Sequence, residues 1–600
     1  MGDGNMAQQF RSQLIYEAIG KGELLEYTQV QIEGNRISDA LSDELKNLEL
    51  PNFEKGDDKH PSPHLPKGLL APILINAPTG SGKTTFVTND LARKVLDKGL
   101  YVLLLSNRSA LELQQKYELI RKTDIPQPGA ETLSNMQLFG HIILLTYQSV
   151  LSNLAELKKY PIGVVVFDEA HFFCSDSTFN AWTEQILTNL IITFWDCKRI
   201  YMTATPDDVK PIIAYEEACL FNTIHNQGDP RYLYALGKEY SIREYYMPAD
   251  YSYARLHFFH QEESIINLIS KDNTENKWLI FTESKEKGRL MQRKIGKDAT
   301  FIDSSIRNRD YRTFVDFARR EMSEKRVLIS TSVLDNGVNF NDLALKNIVI
   351  DSSDPVQLKQ MLGRKRIQEG EIVDLYVKEK KRQDIYTSRL HTENLLKVLQ
   401  DFSINREAYI SYRWGSLTES EQQLFALCPQ QLQDVYGRSI GTAIVVVANN
   451  YTEFQLARKL GRLDEIGDRF VKDGEHAFSY KVCGWLGLTY TPEMQIDDSP
   501  HETAEQKIID TIDKYVEKPM SRDEARKLVA DVTAILDKFS LPKSVISIKD
   551  TDSDVKGDIN RILRYVELPY KCVKEKKYGN DIWRIIPQKL EDISRTTIEK

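Results

Sequence analysis

The feature that most narrows what this 600-residue chain can fold into is a repeated alternation of short apolar runs with longer amphipathic segments. Runs over 73–76, 101–106, 142–146, 163–167 and 199–203 are continuous, β-branched and aliphatic, and segments such as 84–96 and 110–121 between them carry helical spacing. Strands that are apolar on both faces and separated by helices belong to parallel sheets covered on both sides. The pattern returns with strands over 278–282, 327–330, 347–351 and 372–377 and helices over 285–295 and 311–321, which predicts a second lobe of the same α/β kind. From about residue 382 strands thin out and helical segments dominate, at 419–427, 453–460, 504–516 and 521–538. The expected organisation is an N-terminal helical segment and linker (1–66), a first lobe (67–215), a connection (216–255), a second lobe (256–381), a helical accessory domain (382–500) and a C-terminal domain (501–600).

Composition excludes several classes. Hydrophobic residues at 41% and charged residues at 28% describe a folded globular protein rather than a disordered chain or a rod. The net charge of -8 shows that the chain is not basic throughout, although a local groove can still be positive. Six scattered cysteines without a CxxC pair support neither a zinc ribbon nor an iron–sulfur cluster. They read as reduced thiols. No apolar run reaches the roughly 18 residues of a membrane span, and the start of the chain lacks a signal-peptide pattern, so no membrane partner and a cytoplasmic location, with nucleoid association open, are expected.

Two segments carry chemistry. The strand ending at Asn76 runs into Ala77-Pro78-Thr79-Gly80-Ser81-Gly82-Lys83-Thr84-Thr85 and then a helix, the context of a phosphate-binding loop. Gly80 and Gly82 permit the tight turn that aims backbone N–H groups of Ser81 to Thr85 at phosphates. Lys83 would reach the terminal phosphates, and the Thr84 hydroxyl would hold a magnesium ion. Further on, Val164 to Phe167 ends in Asp168-Glu169-Ala170-His171, placing two acids at the C-terminal end of a parallel strand, where open α/β sheets bind ligands. Asp168 suits a metal ion and Glu169 a proton from attacking water. A bare Gly-rich turn and an acidic helix cap are the plainer alternatives, each weakened by the presence of the other segment.

Together these residues resemble motifs I and II of the superfamily 2 helicases and translocases, of DEAD/DEAH-box type. Other blocks follow in order: Ser106 to Leu111 with Gln114 resembles motif Ia, and Thr146 to Ser149 the next nucleic-acid block. Thr203-Ala204-Thr205 resembles motif III, Leu279 to Ser284 motif IV, Thr331 to Asn339 motif V, and Gln360 to Arg364 motif VI. The resemblance spans residues 71 to about 367. It implies two tandem RecA-like lobes with ATP and Mg2+ in the cleft between them, and hydrolysis of ATP to ADP and phosphate. By the same resemblance Arg364 acts as an arginine finger and Gln360 positions nucleotide or water. Asp335 and Gly337 line the cleft, and Arg108, Thr146, Tyr147, Thr331 and Ser332 contact a nucleic-acid backbone. Two departures stand out. The second motif VI arginine falls at Arg366, because Ile367 occupies the usual position, and no glutamine-containing adenine block precedes Ala71.

Near the C-terminus, 558–566 reads as a helix and 570–585 as a hairpin turning at Gly579-Asn580. Between Lys556 and Arg584 eight basic residues face four acidic ones, which points Lys574, Lys576 and Lys577 toward phosphates. Helix then hairpin looks like a winged helix with Tyr578 or Trp583 stacking on bases. The same residues also describe a solvated hairpin with Trp583 in its core. The pairs His60/His64 and His257/His260 have helix-like metal spacing but sit among prolines or aromatics, favouring surface or packing roles. The functional expectation is a nucleic-acid-dependent ATPase acting on DNA, with RNA open, in replication, repair or anti-phage defence. The alternative is an ATP-gated clamp that signals through its C-terminal region to a protein partner such as a nuclease without unwinding.

Overall fold

The structure, a computed structural model, describes residues 25–34, 36–41, 45–51, 69–107, 115–117, 119–120, 138–226, 240–303, 324–331, 339–433, 439–496, 504–516, 518–538, 546, 548, 554–566, 568, 570–577 and 580–587. They form two compact units, 1–496 and 497–600.

Within the first unit, the eight strands of the first lobe are β1 (Tyr27–Gln31), β2 (Ile73–Asn76), β3 (Tyr101–Ser106), β4 (Leu138–Phe139), β5 (Ile142–Thr146), β6 (Ile162–Phe167), β7 (Lys198–Thr203) and β8 (Ile242–Tyr246). Their order is β1-β8-β2-β7-β6-β3-β5-β4, parallel except for the β4–β5 pair. Strands β5 and β6 are buried at every position, as their unbroken apolar sequences require. The six strands of the second lobe are β9 (Ala254–Phe259), β10 (Lys277–Phe281), β11 (Ala299–Ile302), β12 (Val327–Ser330), β13 (Leu345–Ile350) and β14 (Val373–Lys378). They run all-parallel in the order β11-β12-β10-β13-β14-β9. Helices pack on both sheets, giving the two expected RecA-like layers.

Three expectations are corrected. The N-terminal segment, read as helical, contributes β1, whose Tyr-Thr-Gln-Val-Gln sequence favours an edge strand and pairs with β8. The connection also holds structure of its own: β8 belongs to the first sheet and pairs with β2. Third, the helix expected over 419–427 stops at Gln422. Strand β15 (Phe425–Gln433) follows and pairs antiparallel with β16 (Ser439–Ala448), whose β-branched Ile-Val-Val-Val run supplies the ladder. The remaining helices of this unit that bear on function are α1 (Tyr147–Leu157), α2 (Pro355–Leu362), α3 (Arg382–Ile404), α4 (Asn450–Asp473) and α5 (Ala477–Trp485).

The second unit contains α6 (Ala504–Ile512), α7 (Arg522–Lys538), α8 (Val555–Tyr565) and the antiparallel hairpin β17 (Tyr570–Lys577) and β18 (Asn580–Pro587). Trp583 is 5% exposed and exchanges backbone hydrogen bonds with Met520, so of the two readings of this region the core role for Trp583 holds. Tyr578 lies outside the described residues. Among the described residues no helix is long and apolar enough to cross a membrane.

Candidate active site at the cleft between the lobes

Strand β2 delivers the loop 77–82 to the C-terminal edge of the first sheet. Gly80 and Gly82 have φ of +89° and +86°, left-handed conformations that side-chain-bearing residues seldom adopt. The loop turns directly into a helix running through Lys83–Thr85, a π-helical turn at Phe86–Leu91 and Ala92–Leu96. Lys83 is buried, and its Nζ donates to the Ala77 and Pro78 carbonyls at 2.7 and 3.1 Å. Ser81 Oγ donates to Pro78 O at 2.8 Å, while Thr84 and Thr85 line the cleft.

Strand β6 brings Asp168 and Glu169 to the same edge. Asp168 is held from three sides: Gln115 Nε2 donates to Oδ2 at 2.8 Å, the Glu169 N–H to Oδ1 at 3.1 Å, and Tyr147 Oη to the Asp168 carbonyl at 2.8 Å. Glu169 has φ of +51°, the sole non-glycine with positive φ among the described residues. That geometry costs roughly 1 kcal/mol. Burial, then the Glu169 charge, raises the Asp168 carboxyl above its ordinary pKa. Burial pushes Glu169 the same way, but His171, Lys83, Arg364 and Arg366 outweigh it and draw Glu169 below its ordinary value.

The second lobe supplies cations. Helix α2 starts at the N-cap Asp354, whose Oδ1 accepts from Val356 and Gln357 N–H groups, and it carries Gln360. Just beyond its end Arg364, 1% exposed, places Nη2 3.6 Å from Glu169 Oε1 of the first lobe. Gln360 Nε2 donates to Thr205 Oγ1 across the cleft at 3.2 Å. The approach is close enough that a Cβ on Gly363 would lie 2.2 Å from Thr79 Oγ1 and one on Gly80 3.2 Å from Arg366 Nη1. The cleft encloses a cavity of about 590 Å3 lined by Gly80, Lys83, Asp168, Glu169, Arg364 and Arg366 among others.

Lys83, Asp168, Glu169, Gln360, Arg364 and Arg366 are thus brought together with Gly80, Ser81, Gly82, Thr84 and Thr85. Arg108, Ser332, Asp335 and Gly337 lie outside the described residues, as do His60 and His64. One nucleic-acid candidate is corrected: Tyr147 is fully buried, stacked on Phe172, and its hydroxyl serves Asp168, so it meets no strand. Thr146, 9% exposed, donates to Ser149 Oγ at 3.0 Å at the start of α1, and Thr331, 8% exposed, lies just beyond the end of β12. On the C-terminal hairpin Lys574 pairs with Asp581 on the opposing strand at 2.7 Å, leaving Lys576 exposed; the Lys577 side chain is outside the described set. His257 bonds Asp374 at 2.9 Å, a structural role. Among the described residues no group of three His, Cys, Asp or Glu could hold a metal ion by itself.

Residue-by-residue reading of the sequence missed several participants. Gln115 lies one position past the residue singled out in motif Ia. His171 contacts Thr203 Oγ1 at 3.2 Å and Glu169 Oε2 at 3.4 Å, and Thr203 Oγ1 accepts from the Thr205 N–H at 3.0 Å. With Gln360 this completes a polar chain from the Glu169 carboxylate to the second lobe. The DEAH tetrapeptide and Thr-Ala-Thr contained that signal. Tyr251 and Tyr253, from the connection, also line the cavity, and nothing in their sequence context announced it.

Residues 64–212 match the family model for DEAD/DEAH box helicases, and residues 260–367 match the helicase conserved C-terminal domain. Comparison with curated proteins finds no match. Similar solved structures include S. cerevisiae Dbp5 bound to RNA and ADP BeF3, at 14% identity and TM-score 0.36 over 53% of this chain and 80% of that one. They also include Mss116p (NTE and C-tail double deletion) bound to ssRNA and AMP-PNP, at 13% identity and TM-score 0.43 over 90% and 94% of the two chains. A third is Mycobacterium smegmatis helicase Lhr bound to ssDNA and AMP-PNP, at 14% identity and TM-score 0.39 over 83% and 68%. With both family models matched in order along the two lobes that form the cleft, the first lobe carries the DEAD/DEAH box helicase domain and the second the helicase conserved C-terminal domain, the domains of nucleic-acid-dependent ATPases.

Proposed function

We propose that the cleft binds Mg-ATP and hydrolyses it to ADP and phosphate, and that the resulting lobe movements drive helicase or translocase action on DNA. The observation that carries this reading is the apposition of Arg364 and Glu169 across the lobes, 3.6 Å apart, in a cavity that Lys83 also lines. The residues suit the ligand. Burial lowers the Lys83 pKa, nearby Glu169 and Asp168 oppose this, and Arg366 and Arg364 lower it further, so three cations converge on one space and an anionic phosphate chain would relieve them. Asp168, whose ionised form is disfavoured by burial and by Glu169, would be relieved by a divalent cation, with Thr84, in the helix that follows the phosphate loop, lining the same cavity. When bound, Mg2+ supplies Lewis-acid neutralisation of phosphate charge.

The chain's own residues divide the remaining work. The N–H groups that follow Gly80 and the Lys83 ammonium hold the phosphates, and Asp168 is kept in place by Gln115 and Tyr147. Glu169 accepts the proton of the attacking water, its orientation set through His171. Arg364 stabilises charge developing on the transferred group, and Arg366 near Gly80 adds a second cation. Tyr251 and Tyr253 offer aromatic surface for the nucleobase in place of the missing adenine block. Thr146, Thr331, Ser332 and Arg108 are proposed to face sugar-phosphate, a contact set indifferent to sequence.

ATP turnover measured with single-stranded DNA, duplex DNA, forked DNA and RNA at several salt concentrations tests the reading. The expected result is stimulation by DNA that weakens as salt rises. Turnover unaffected by every nucleic acid would reject it. A strand-displacement assay run in parallel separates a helicase from a clamp that hydrolyses ATP without unwinding.

A further inference from the structure

Helix α4 belongs to both lobes at once. Its N-terminal end is sunk into the first: Asn449, the N-cap, donates to Thr183 Oγ1 at 2.7 Å, the Asn450 N–H to Glu184 at 2.8 Å, Tyr451 Oη to Glu216 at 2.7 Å and Thr452 Oγ1 to Ser177 O at 2.8 Å. Tyr451 and Phe454 are part of that lobe's hydrophobic core. Three turns later Leu463 and Ile466 are part of the core of the second lobe. Between these two anchors sits Arg462. Its Nη2 bonds both carboxylate oxygens of Asp208 in the first lobe, and its Nη1 lies 3.3 Å from Asp354 Oδ2 in the second. Arg458 reinforces the Asp208 side at 3.2 Å.

The two carboxylates are placed where they matter. Asp208 follows Thr205 by three residues, and Asp354 caps α2, the helix that carries Gln360 and leads to Arg364. The same two segments therefore meet twice, through Gln360–Thr205 and through Asp208–Arg462–Asp354. Removing the guanidinium would leave Asp354 without its cation and Asp208 with Arg458 alone, two carboxylates, one per lobe, whose side chains are only 17% and 7% exposed.

We propose that α4 is an inter-lobe strut and that Arg462 is its positioning residue, a cation that pins the two lobes together so that Arg364 stands opposite Glu169. By this account the accessory region sets how often the cleft is closed before nucleotide arrives. The apparent affinity for nucleotide then scales with that closed fraction, whereas turnover of the closed state does not. Only this kinetic consequence rests on the reading of the cleft as an ATPase site.

The test uses the full chain with donor and acceptor dyes on azido residues replacing Lys98 in the first lobe and Lys297 in the second, both exposed. Single-molecule energy transfer without nucleotide reads the closed fraction, and ATP kinetics are read in parallel. Arg462→Ala should lower the closed fraction at least threefold and raise the KM for ATP by the same factor, with kcat changed less than twofold. Arg462→Lys should fall between it and the unaltered chain. Adding Asp354→Asn to Arg462→Ala, which keeps a capping side chain but removes the charge left without its cation, should restore more than half of the loss. Closed fractions equal to the unaltered chain in both Arg462→Ala and Arg462→Lys, with melting temperatures preserved, would overturn the strut. If Arg462→Ala fails to fold, Arg462→Lys and Asp354→Asn decide: a reduced closed fraction in both supports the strut, and an unchanged one overturns it. A closed fraction that falls as expected in a chain without any ATPase activity would uphold the strut and reject the catalytic reading instead.

Discussion

The two lobes share an architecture yet contribute to the cleft in opposite ways. The first lobe holds its groups at the ends of buried parallel strands, where loop, acids and supporting side chains are fixed by that lobe alone: Lys83 by the loop carbonyls, Asp168 by Gln115 and Tyr147. The second lobe presents Gln360 and Arg364 at the far end of a short helix, and their partners Thr205 and Glu169 lie in the first lobe. One half of the site is therefore built locally and the other exists only by apposition. On the proposed reading the first half supplies most of the groups that hold nucleotide, but tight binding and turnover both need the second half apposed.

The largest effect expected from this contrast is on Arg364→Ala. Turnover should fall about a thousandfold, with nucleotide binding little changed, because in its proposed role the arginine stabilises charge that develops only in the transition state. Nucleotide titration beside steady-state kinetics checks it, and a loss confined to binding would erase the distinction between the lobes. Next comes Glu169→Gln, expected to lower kcat about a hundredfold or more at unchanged nucleotide affinity. Single-turnover hydrolysis is the measurement. Equal losses in binding would mean that the residue holds the ligand and not the proton.

Gly363→Ala probes apposition itself. Its Cβ would lie 2.2 Å from Thr79 Oγ1 and 3.2 Å from the Lys359 carbonyl, so the lobes must separate or α2 must shift. The expected result is an ATP KM raised about tenfold with the first lobe's fold intact by circular dichroism, the size of a ~1.4 kcal/mol penalty on closure. The smallest effect concerns stability. Glu379, beyond the end of β14, accepts from the Ser479 N–H and hydroxyl on α5 and from Gln495, and burial raises its carboxyl from 4.5 to about 7. A carboxyl raised on folding contributes stability fully present below about pH 4.5 and lost as pH climbs through about 7. Relative to Glu379→Gln, the unaltered chain should lose about 1 kcal/mol between pH 6 and pH 7, read from denaturant melts. A constant difference across that range would show that the group titrates normally.

How much of this was legible in the sequence follows the same division. Continuous apolar runs specify buried parallel strands directly, so both sheets could be read, and adjacent residues with one purpose, such as 77–85 and 168–171, announce the first lobe's site. What escaped were features that depend on a distant partner. Strand β1 has only a weak pattern of its own and is defined by pairing with β8, 215 positions on. The helical pattern over 419–427 runs into the start of β15 because Glu419 to Gln422 does begin a helix, with a capping box at Thr418 and Glu421, before the ladder takes over. The motif around Tyr147 implies a nucleic-acid contact, whereas packing against Phe172 and Phe173 turns the side chain inward. Arg462 had no local signal at all, since its meaning lies in Asp208 and Asp354, 254 and 108 positions away.

The most direct measurement of the central claim is an experimental structure of the full chain with Mg2+ and a non-hydrolysable ATP analogue. The terminal phosphate should lie within hydrogen-bonding reach of both Lys83 Nζ and the Arg364 guanidinium, with Glu169 facing the in-line water. A nucleotide bound by the first lobe while Arg364 points away from it, with the lobes closed, would contradict the account.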